Sequence, residues 1–589
     1  MCGICGELSF KNPVGLQPLD QMLGLLHKRG PDAVGTFVQQ SIGLGHRRLS
    51  ILDLAGTSQQ PMVDPALGLA VVFNGCIYNF RELRTELQAK GYQFFSNGDT
   101  EVILKAYAAW GPRCVDHFLG MFAFALWERD NGRMLLARDR LGIKPLYYAE
   151  TPTGLRFAST LPALLGAGGV DTSVDRKALH HYMSWHGVVP APHTILKGVK
   201  KLPPATLLTI NPDGTRHQET YWKLSVGPDT RDIGMSPADW REELSEKLFR
   251  VIERRMVADV PVGVLLSGGL DSSLLVACLA ELGQKNLKTF SIGFEKVADT
   301  EGDEFQYSDL VARHFATDHH QIRVSAKDAL EALPTTIGSM SEPMMSHDAV
   351  GFFLLAKEVS RHVKVVQSGQ GADEVFAGYH WYPKLLRSND IARDYARLYF
   401  DRDHAEIGEA LHPSLMNGDY STEFIEYFFS RCNGNGPVDK ALQLDTEIML
   451  VDDPVKRVDN MTMAWGLEGR VPFLDHELVE LAARIPTDLK LRNGGKQILK
   501  EVARGLVPSE VIDRPKGYFP VPALKYLRGP FLDYVRQVLN DQRARHRELF
   551  NRPYVERLLG APEENLTPKG HSKLWQVAVI EQWLQCHGI

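Results

Sequence analysis

The chain has little cysteine: seven residues in 589, an odd number scattered through the length. That excludes a disulfide framework as its source of stability and points to a reducing, cytoplasmic compartment. It also lacks any apolar run near the ~18 residues that crossing a bilayer requires, so no membrane role is expected. The opening Met1-Cys2-Gly3-Ile4-Cys5-Gly6 has no basic stretch followed by an apolar one, and no signal peptide is expected. Basic residues are outnumbered, 66 Lys and Arg against 72 Asp and Glu, for a net charge of −6. A nucleic-acid partner is therefore not expected. Cys2 and Cys5 form a C-x-x-C pair, half of a zinc site, but no second Cys/His pair at metal spacing follows nearby. What remains is the composition of a globular protein, 44% hydrophobic and 23% charged with mean hydropathy −0.19. At this length about three or four domain-sized units are expected.

One stretch organises the second half. Val260-Pro261-Val262-Gly263-Val264-Leu265-Leu266 reads as a buried parallel strand, Ser267-Gly268-Gly269 breaks it, and apolar spacing resumes at Leu274, Leu275, Ala277 and Cys278 as a helix. A strand, a glycine turn and a helix start aim several backbone N–H groups and the positive end of the helix dipole at one point, a seat for phosphate. Ser267, Ser272 and Ser273 add hydroxyl donors. Asp271 would repel phosphate unless a Mg²⁺ ion lay between them. A tight turn alone explains the glycines but not the hydroxyls and the acid around them. The Gly-Lys-Ser/Thr ending of a Walker A loop is missing. The run Ser267-Gly268-Gly269-Leu270-Asp271-Ser272-Ser273 instead resembles the pyrophosphate loop of ATP pyrophosphatases, which cleave ATP to AMP and pyrophosphate.

In the first half, removal of Met1 would leave Cys2 carrying both a thiol nucleophile and an α-amine. An α-amine has a pKa near ~7.7–8, suited to a local general base. Four motifs follow in order: His27-Lys28-Arg29-Gly30-Pro31-Asp32, Arg47-Arg48-Leu49-Ser50-Ile51-Leu52-Asp53, Val72-Phe73-Asn74-Gly75-Cys76-Ile77-Tyr78-Asn79 and Gly98-Asp99-Thr100-Glu101. Behind a cysteine at position 2, they resemble the N-terminal-nucleophile glutamine amidotransferases of the asparagine synthetase type. The resemblance implies an α/β/β/α sandwich over residues 1–222. It also implies a glutamine site made of Arg48, Leu49, Ser50, Ile51, Leu52, Asn74, Gly75, Cys76 and Asp99. Arg48 would clamp the α-carboxylate and Asp99 the α-ammonium. Asn74 and the Gly75 N–H would form the oxyanion hole. Two departures stand out: Lys28 is inserted in the first motif, and Cys76 replaces the family's Glu, which puts part of the ammonium recognition in doubt. Residues 120–127 alternate as a half-buried strand, residues 135–148 read as strand, turn, strand, and Glu82–Lys90 and Glu101–Trp110 read as helices.

Residues 223–238 are rich in Gly, Pro, Ser and Asp and are expected to link this domain to a second one over 239–589. There the strand runs 287–294 and 363–367 alternate with helical spacing, which predicts a doubly wound parallel sheet with ligands at its C-terminal ends. The fold class expected for the whole chain is α/β. By resemblance, Leu265, Ser267, Gly268, Gly269, Asp271, Ser272, Ile292, Ser368 and Gly369 contact ATP, and Asp271 and Asp373 hold Mg²⁺. The stretches 463–475 and 494–500 complete the match, and Lys496 corresponds to the lysine that neutralises charge at the activated carboxylate. Asp452-Asp453 receives no role, and residues from about 520 onward read as helical without chemistry.

The acceptor is where the chain departs from asparagine synthetases. Its third glycine turn, Ser368-Gly369-Gln370-Gly371-Ala372-Asp373-Glu374, has Gln370 where they carry Glu, and a glutamine cannot attract an ammonium. The stretch 341–348 shows no Arg to clamp an α-carboxylate. Both features fit an acceptor whose amine is masked, and in its length and its Ser-Gly-Gln-Gly-Ala-Asp-Glu turn the chain resembles the N-acetylglutaminylglutamine amidotransferases, which amidate the C-terminal carboxylate of an acetylated dipeptide. Plain asparagine synthesis is the alternative. A glutaminase or glutamine sensor with an inactive synthetase half is a third reading, and the intact Asp271, Asp373 and Lys496 weigh against it. The partners implied are glutamine, a small carboxylate and ATP, and the sequence is compatible with a homo-oligomer.

Overall fold

The computed structural model describes residues 2–296, 302–432, 434–515, 517 and 521–589. Met1, whose removal the nucleophile reading requires, lies outside the described residues. The first half holds two six-stranded antiparallel sheets. In one, Gly3–Ser9 pairs with Ile42–Arg48 and Gly154–Ala158. In the other, Gly120–Glu128 pairs with Leu69–Ile77 and Met134–Arg138. The sheets face each other through Ile4, Leu8, Ile42 and Leu44 on one side and Ala70, Val72, Ala123 and Ala125 on the other. Helices Leu16–Leu25 and Leu161–Gly166 cover the first sheet. Helices Phe80–Ala89 and Thr100–Trp110 cover the second. This layering corrects the half-buried reading of 120–127. Phe122, Phe124 and Leu126 enter the helix-facing core, while Ala123 and Ala125 enter the core between the sheets. The alternation directs side chains into two different cores, with Trp127 joining Ala123 and Ala125 between the sheets, and does not separate buried from exposed.

Helix Pro237–Arg254 opens the second half, capped by Ser236, whose hydroxyl accepts from the Asp239 N–H while Asp239 accepts from the Ser236 N–H. The sheet beyond it is wholly parallel, in the order Asp318–Val324, Lys288–Phe294, Val262–Leu265, Val365–Gln367, Glu468–Arg470. From the central Val262–Leu265 the chain winds first to one side and then to the other. That reversal opens a crevice at the C-terminal ends of Val262–Leu265 and Val365–Gln367. Helices Pro237–Arg254 and Leu270–Glu281 pack one face and Ala326–Gly338 and Asp348–Val359 the other. Five helices occupy the described residues from 522 to 586, the last of which, Lys573–Cys586, buries Trp575 and Trp583. Among the described residues, no helix is long and apolar enough to cross a membrane.

The halves are joined by buried charges. Arg29 Nη1 bonds Asp459 at 2.8 Å, and Lys144 Nζ approaches the same carboxylate at 3.4 Å. Lys201 Nζ bonds Glu342 at 3.0 Å and Asp452 at 2.6 Å. The Asp452-Asp453 pair, given no role from sequence, thus has one: Asp452 ties the domains together and Asp453 accepts from Arg457 at 2.9 Å.

Candidate active sites

Cys2 stands at the mouth of strand Gly3–Ser9, 8% exposed, beside a cavity lined by Arg48, Leu49, Ile51, Leu52, Gly75, Cys76 and Asp99. The Cys2 N–H donates to Asn74 Oδ1 at 2.9 Å, and the Cys2 carbonyl accepts from Arg29 Nε at 3.3 Å. Asn74 is fully buried, and its Nδ2 is a buried donor without a partner among the described residues. An unspent amide N–H behind a cysteine is what an oxyanion hole requires. Only glycine fits at 75, where a Cβ would lie 2.1 Å from the Met121 carbonyl. Ser50 and Asn74 are not among the residues that line this cavity; the Ser50 N–H donates to Asp32 at 2.7 Å. Arg48 spends part of its fork on the carbonyls of Leu52 and Ala55 at 3.4 and 3.1 Å, so it also fixes the loop it lies on.

Burial pushes the Cys2 thiol up, while the Leu49 backbone N–H and the Arg48 charge pull it back. Burial raises the Asp99 carboxyl to about 6 against the Ile77 N–H, which donates to it at 3.0 Å. Cys5 lies in the apolar core with Leu19, Met22 and Leu23, away from the cavity Cys2 lines. Residues three apart on a strand point to opposite faces. Cys2 and Cys5 therefore do not form half of a zinc site. Sequence reasoning did not assign Ser58, Gln60, Phe73, Gly98 or Thr100 to this cavity, nor Glu468 and Arg470, which come from the edge strand of the other domain.

The second site lies at the crevice. Gly268 has φ +74°, and a Cβ there would sit 2.5 Å from the Ser308 amide nitrogen. Ser272 Oγ accepts from the Ser267 N–H at 3.2 Å and lies 3.1 Å from Ser267 Oγ, which closes the turn. Gly269 starts helix Leu270–Glu281 without a side-chain cap, leaving its first N–H groups for a ligand. Leu265 pairs beside Phe290, two residues before Ile292 on the neighbouring strand. Across the crevice the Ser368 N–H donates to the Arg470 carbonyl at 2.8 Å, and Gly369 comes so close to Asp271 that a Cβ would lie 3.0 Å from Asp271 Cβ.

Asp271 and Asp373, 102 positions apart, converge on Lys496, whose Nζ lies 2.7 Å from one carboxylate and 2.8 Å from the other. Burial alone would discharge Lys496, but the two carboxylates hold its pKa above the ordinary lysine value. Lys496 sits at φ +54°, in the left-handed region and next to Gly495 at φ +95°. Two carboxylates meeting at one point form a hard-oxygen donor set that suits Mg²⁺.

Next to Asp373, Tyr379 Oη donates to Glu374 at 2.7 Å, and burial together with Asp373 raises the Glu374 carboxyl to about 7. Gln370 is half-buried in the same turn. The stretch 341–348 itself holds no arginine, but Arg457 reaches it from helix Lys456–Met463 and donates to Ser346 Oγ at 2.7 Å. Its charge is matched by Asp453 at 2.9 Å and Asp348 at 3.8 Å, and its Nε is a buried donor without a partner among the described residues.

Residues 243–585 match the family described as asparagine synthase, and residues 1–222 match the glutamine amidotransferase domain. Asparagine synthetase [glutamine-hydrolyzing] 1 of Bacillus subtilis is 31% identical, the alignment covering 99% of this chain and 96% of the relative. A putative asparagine synthetase [glutamine-hydrolyzing] of Mycobacterium bovis is 33% identical, over 95% of this chain and 92% of its own. A relative named amidase chry2, from Gibberella zeae, is 28% identical over 90% of each chain.

Proposed function

The chain belongs to the asparagine synthase family and is an ATP-dependent, glutamine-using ligase of that type; from that premise we propose the residues that carry each step and the carboxylate that receives the nitrogen. Cys2, freed of Met1, attacks the carboxamide carbon of glutamine. Its own α-amine takes the thiol proton and delivers it to the departing ammonia. Asn74 Nδ2 and the Gly75 N–H receive the oxyanion, with the unpartnered Nδ2 as the supporting observation. Water then releases glutamate from the thioester. Arg48 and Asp99 hold the two ends of the substrate's amino-acid moiety.

In the second site an acceptor carboxylate oxygen attacks the α-phosphorus of ATP and pyrophosphate leaves. Ammonia then displaces AMP from the acyl carbon. The backbone of Ser267, Gly268 and Gly269 with the hydroxyl of Ser272 seats the phosphates. Leu265, Ile292, Ser368 and Gly369 flank the nucleotide, and Lys496 offsets charge at the activated carboxylate. Asp271 and Asp373 are the residues that would hold Mg²⁺, which neutralises phosphate charge when bound. Their meeting at Lys496 is hard to reconcile with a dead synthetase half. Seven unpaired cysteines suit a reducing, cytoplasmic setting.

The favoured acceptor is the C-terminal carboxylate of N-acetylglutaminylglutamine, and Gln370 is the observation that carries it. A free amino-acid acceptor presents an ammonium; exchanging an acid for an amide beside it forfeits a charge-assisted hydrogen bond of about 1.5–3 kcal/mol, roughly tenfold to a hundredfold in affinity. The charge-matched Arg457 retains an N–H for a neutral carbonyl rather than a net charge for an α-carboxylate. The names of the relatives favour the second reading, aspartate. A pyrophosphate-release screen decides between them: kcat/KM for the acetylated dipeptide should exceed that for aspartate, and Gln370→Glu should shift preference toward aspartate. An equal or higher value for aspartate in the unaltered enzyme restores asparagine synthesis.

A further inference from the structure

Strand Leu69–Ile77 carries Cys76 where the family resemblance places an acidic side chain, and among the described residues lining the cavity Asp99 is the one carboxylate from the amidotransferase domain. A second carboxylate nevertheless lines it. Glu468 is 1% exposed and comes from Glu468–Arg470, the outermost strand of the parallel sheet in the other domain. The thiol of Cys76 lies within the electrostatic reach of Arg470, Asp99 and Glu468, and all four line the cavity.

We propose that Glu468 receives the α-ammonium of glutamine together with Asp99, so that the synthetase domain supplies the carboxylate that position 76 does not. The proposal rests on reading this cavity as the glutamine site. Three features of the strand suit the role. Arg470 Nε donates to Glu468 Oε1 at 2.6 Å, which fixes the carboxylate's direction. The arginine is itself anchored by the carbonyls of Arg255 and Val257 at 2.7 and 2.8 Å. Burial works against a charge on Glu468, yet the N-terminal ammonium first, and then Arg470 and Lys144, lower its carboxyl, which favours an acceptor-only anion. An ammonium entering between two buried carboxylates is bound by both and relieves their mutual repulsion, which contributes to the raised pKa of Asp99. The glutamine site is then composite: the amidotransferase domain contributes the nucleophile, the oxyanion donors and Asp99, and the synthetase domain contributes Glu468.

The test measures glutamate release by the full chain with glutamine and with glutaramate, which is glutamine without its α-amino group. Glu468→Gln should raise KM for glutamine on the order of tenfold to a hundredfold with kcat little changed, while KM for glutaramate stays where it was. Adding Cys76→Glu to that variant should restore the preference for glutamine. A merely structural role for Glu468 predicts that both substrates suffer together, and that outcome overturns the proposal, as does an unchanged KM for glutamine. If Glu468→Gln alone does not fold, the Cys76→Glu/Glu468→Gln chain carries the test: a retained preference for glutamine supports an interchangeable carboxylate in this cavity, and its loss refutes it. Cys2→Ala separates the underlying reading from the proposal. Full glutamine hydrolysis by Cys2→Ala means the cavity is not the glutamine site, whereas a dead Cys2→Ala with an unmoved Glu468→Gln rejects the proposal alone.

Discussion

Burial holds the Cys2 thiol protonated, so its reactivity depends on a base within reach and on donors for the charge it creates. Asn74 couples the two requirements, because Oδ1 fixes the Cys2 nitrogen and the unpartnered Nδ2 stays available. Cys2→Ala should therefore abolish glutamine-driven amidation, by a factor of 10³ or more. Ammonia-driven amidation should persist near its original rate, since the second site needs only NH₃. Assay of AMP formation with ammonium chloride in place of glutamine checks this, and loss of both activities would mean that Cys2 has a structural role. At this scale much was legible. Cys2, Arg48, Asn74, Asp99, Asp271 and Lys496 each sit in a contiguous motif whose chemistry can be read locally. Glu468, Arg470 and Arg457 were not legible, because what they touch lies in other parts of the chain: Arg470 bonds the carbonyls of Arg255 and Val257, and Arg457 bonds Ser346.

The elements that hold the second site are short and tightly packed. Residues 494–496 all take positive φ, which lets the chain deliver Lys496 to the two acids. Gly378 lies directly beneath, where an added Cβ would come 2.1 Å from Asp373 Oδ1 and 2.3 Å from Lys496 Cε. Gly378→Ala should break the Lys496–Asp373 pair and reduce AMP formation at least tenfold, with glutaminase activity spared. Parallel loss of glutaminase would show global rather than local damage. The apolar strands Val262–Leu265, Lys288–Phe294 and Val365–Gln367 announced themselves, since burial on both faces demands continuous apolar runs. The edges did not. Asp318–Val324 is mostly polar and buries only Val324, and Glu468–Arg470 is three residues long with two charges. Neither carries a hydrophobic period.

At the scale of the whole molecule, the domains meet through charges withdrawn from water. Asp459 is 3% exposed and pairs with Arg29 while Lys144 lies close by. Removing one partner of such a cluster leaves the others buried and uncompensated, at a cost of roughly 3–5 kcal/mol. Arg29 also holds the Cys2 carbonyl. Asp459→Ala should thus lower the melting temperature and depress glutamine-driven amidation more than ammonia-driven amidation. A variant in which both activities fall equally would show that the cluster serves stability alone. The sandwich layering and the meeting of the two halves were not readable from periodicity. The order of the motifs carried the fold through resemblance, whereas the cross-domain charges Arg29, Lys144, Asp452 and Asp459 lie too far apart in sequence to be matched by eye.

The central claim is that one chain hydrolyses glutamine in its first half and spends ATP by pyrophosphate release in its second to amidate a carboxylate. Quantifying all products of a single reaction with glutamine, ATP, Mg²⁺ and N-acetylglutaminylglutamine tests it most directly. The account predicts glutamate, AMP, pyrophosphate and amidated dipeptide in equal amounts, with AMP formation lost in Asp271→Asn while glutamate release continues. ADP and phosphate in place of AMP and pyrophosphate, or undiminished AMP formation by Asp271→Asn, would contradict it.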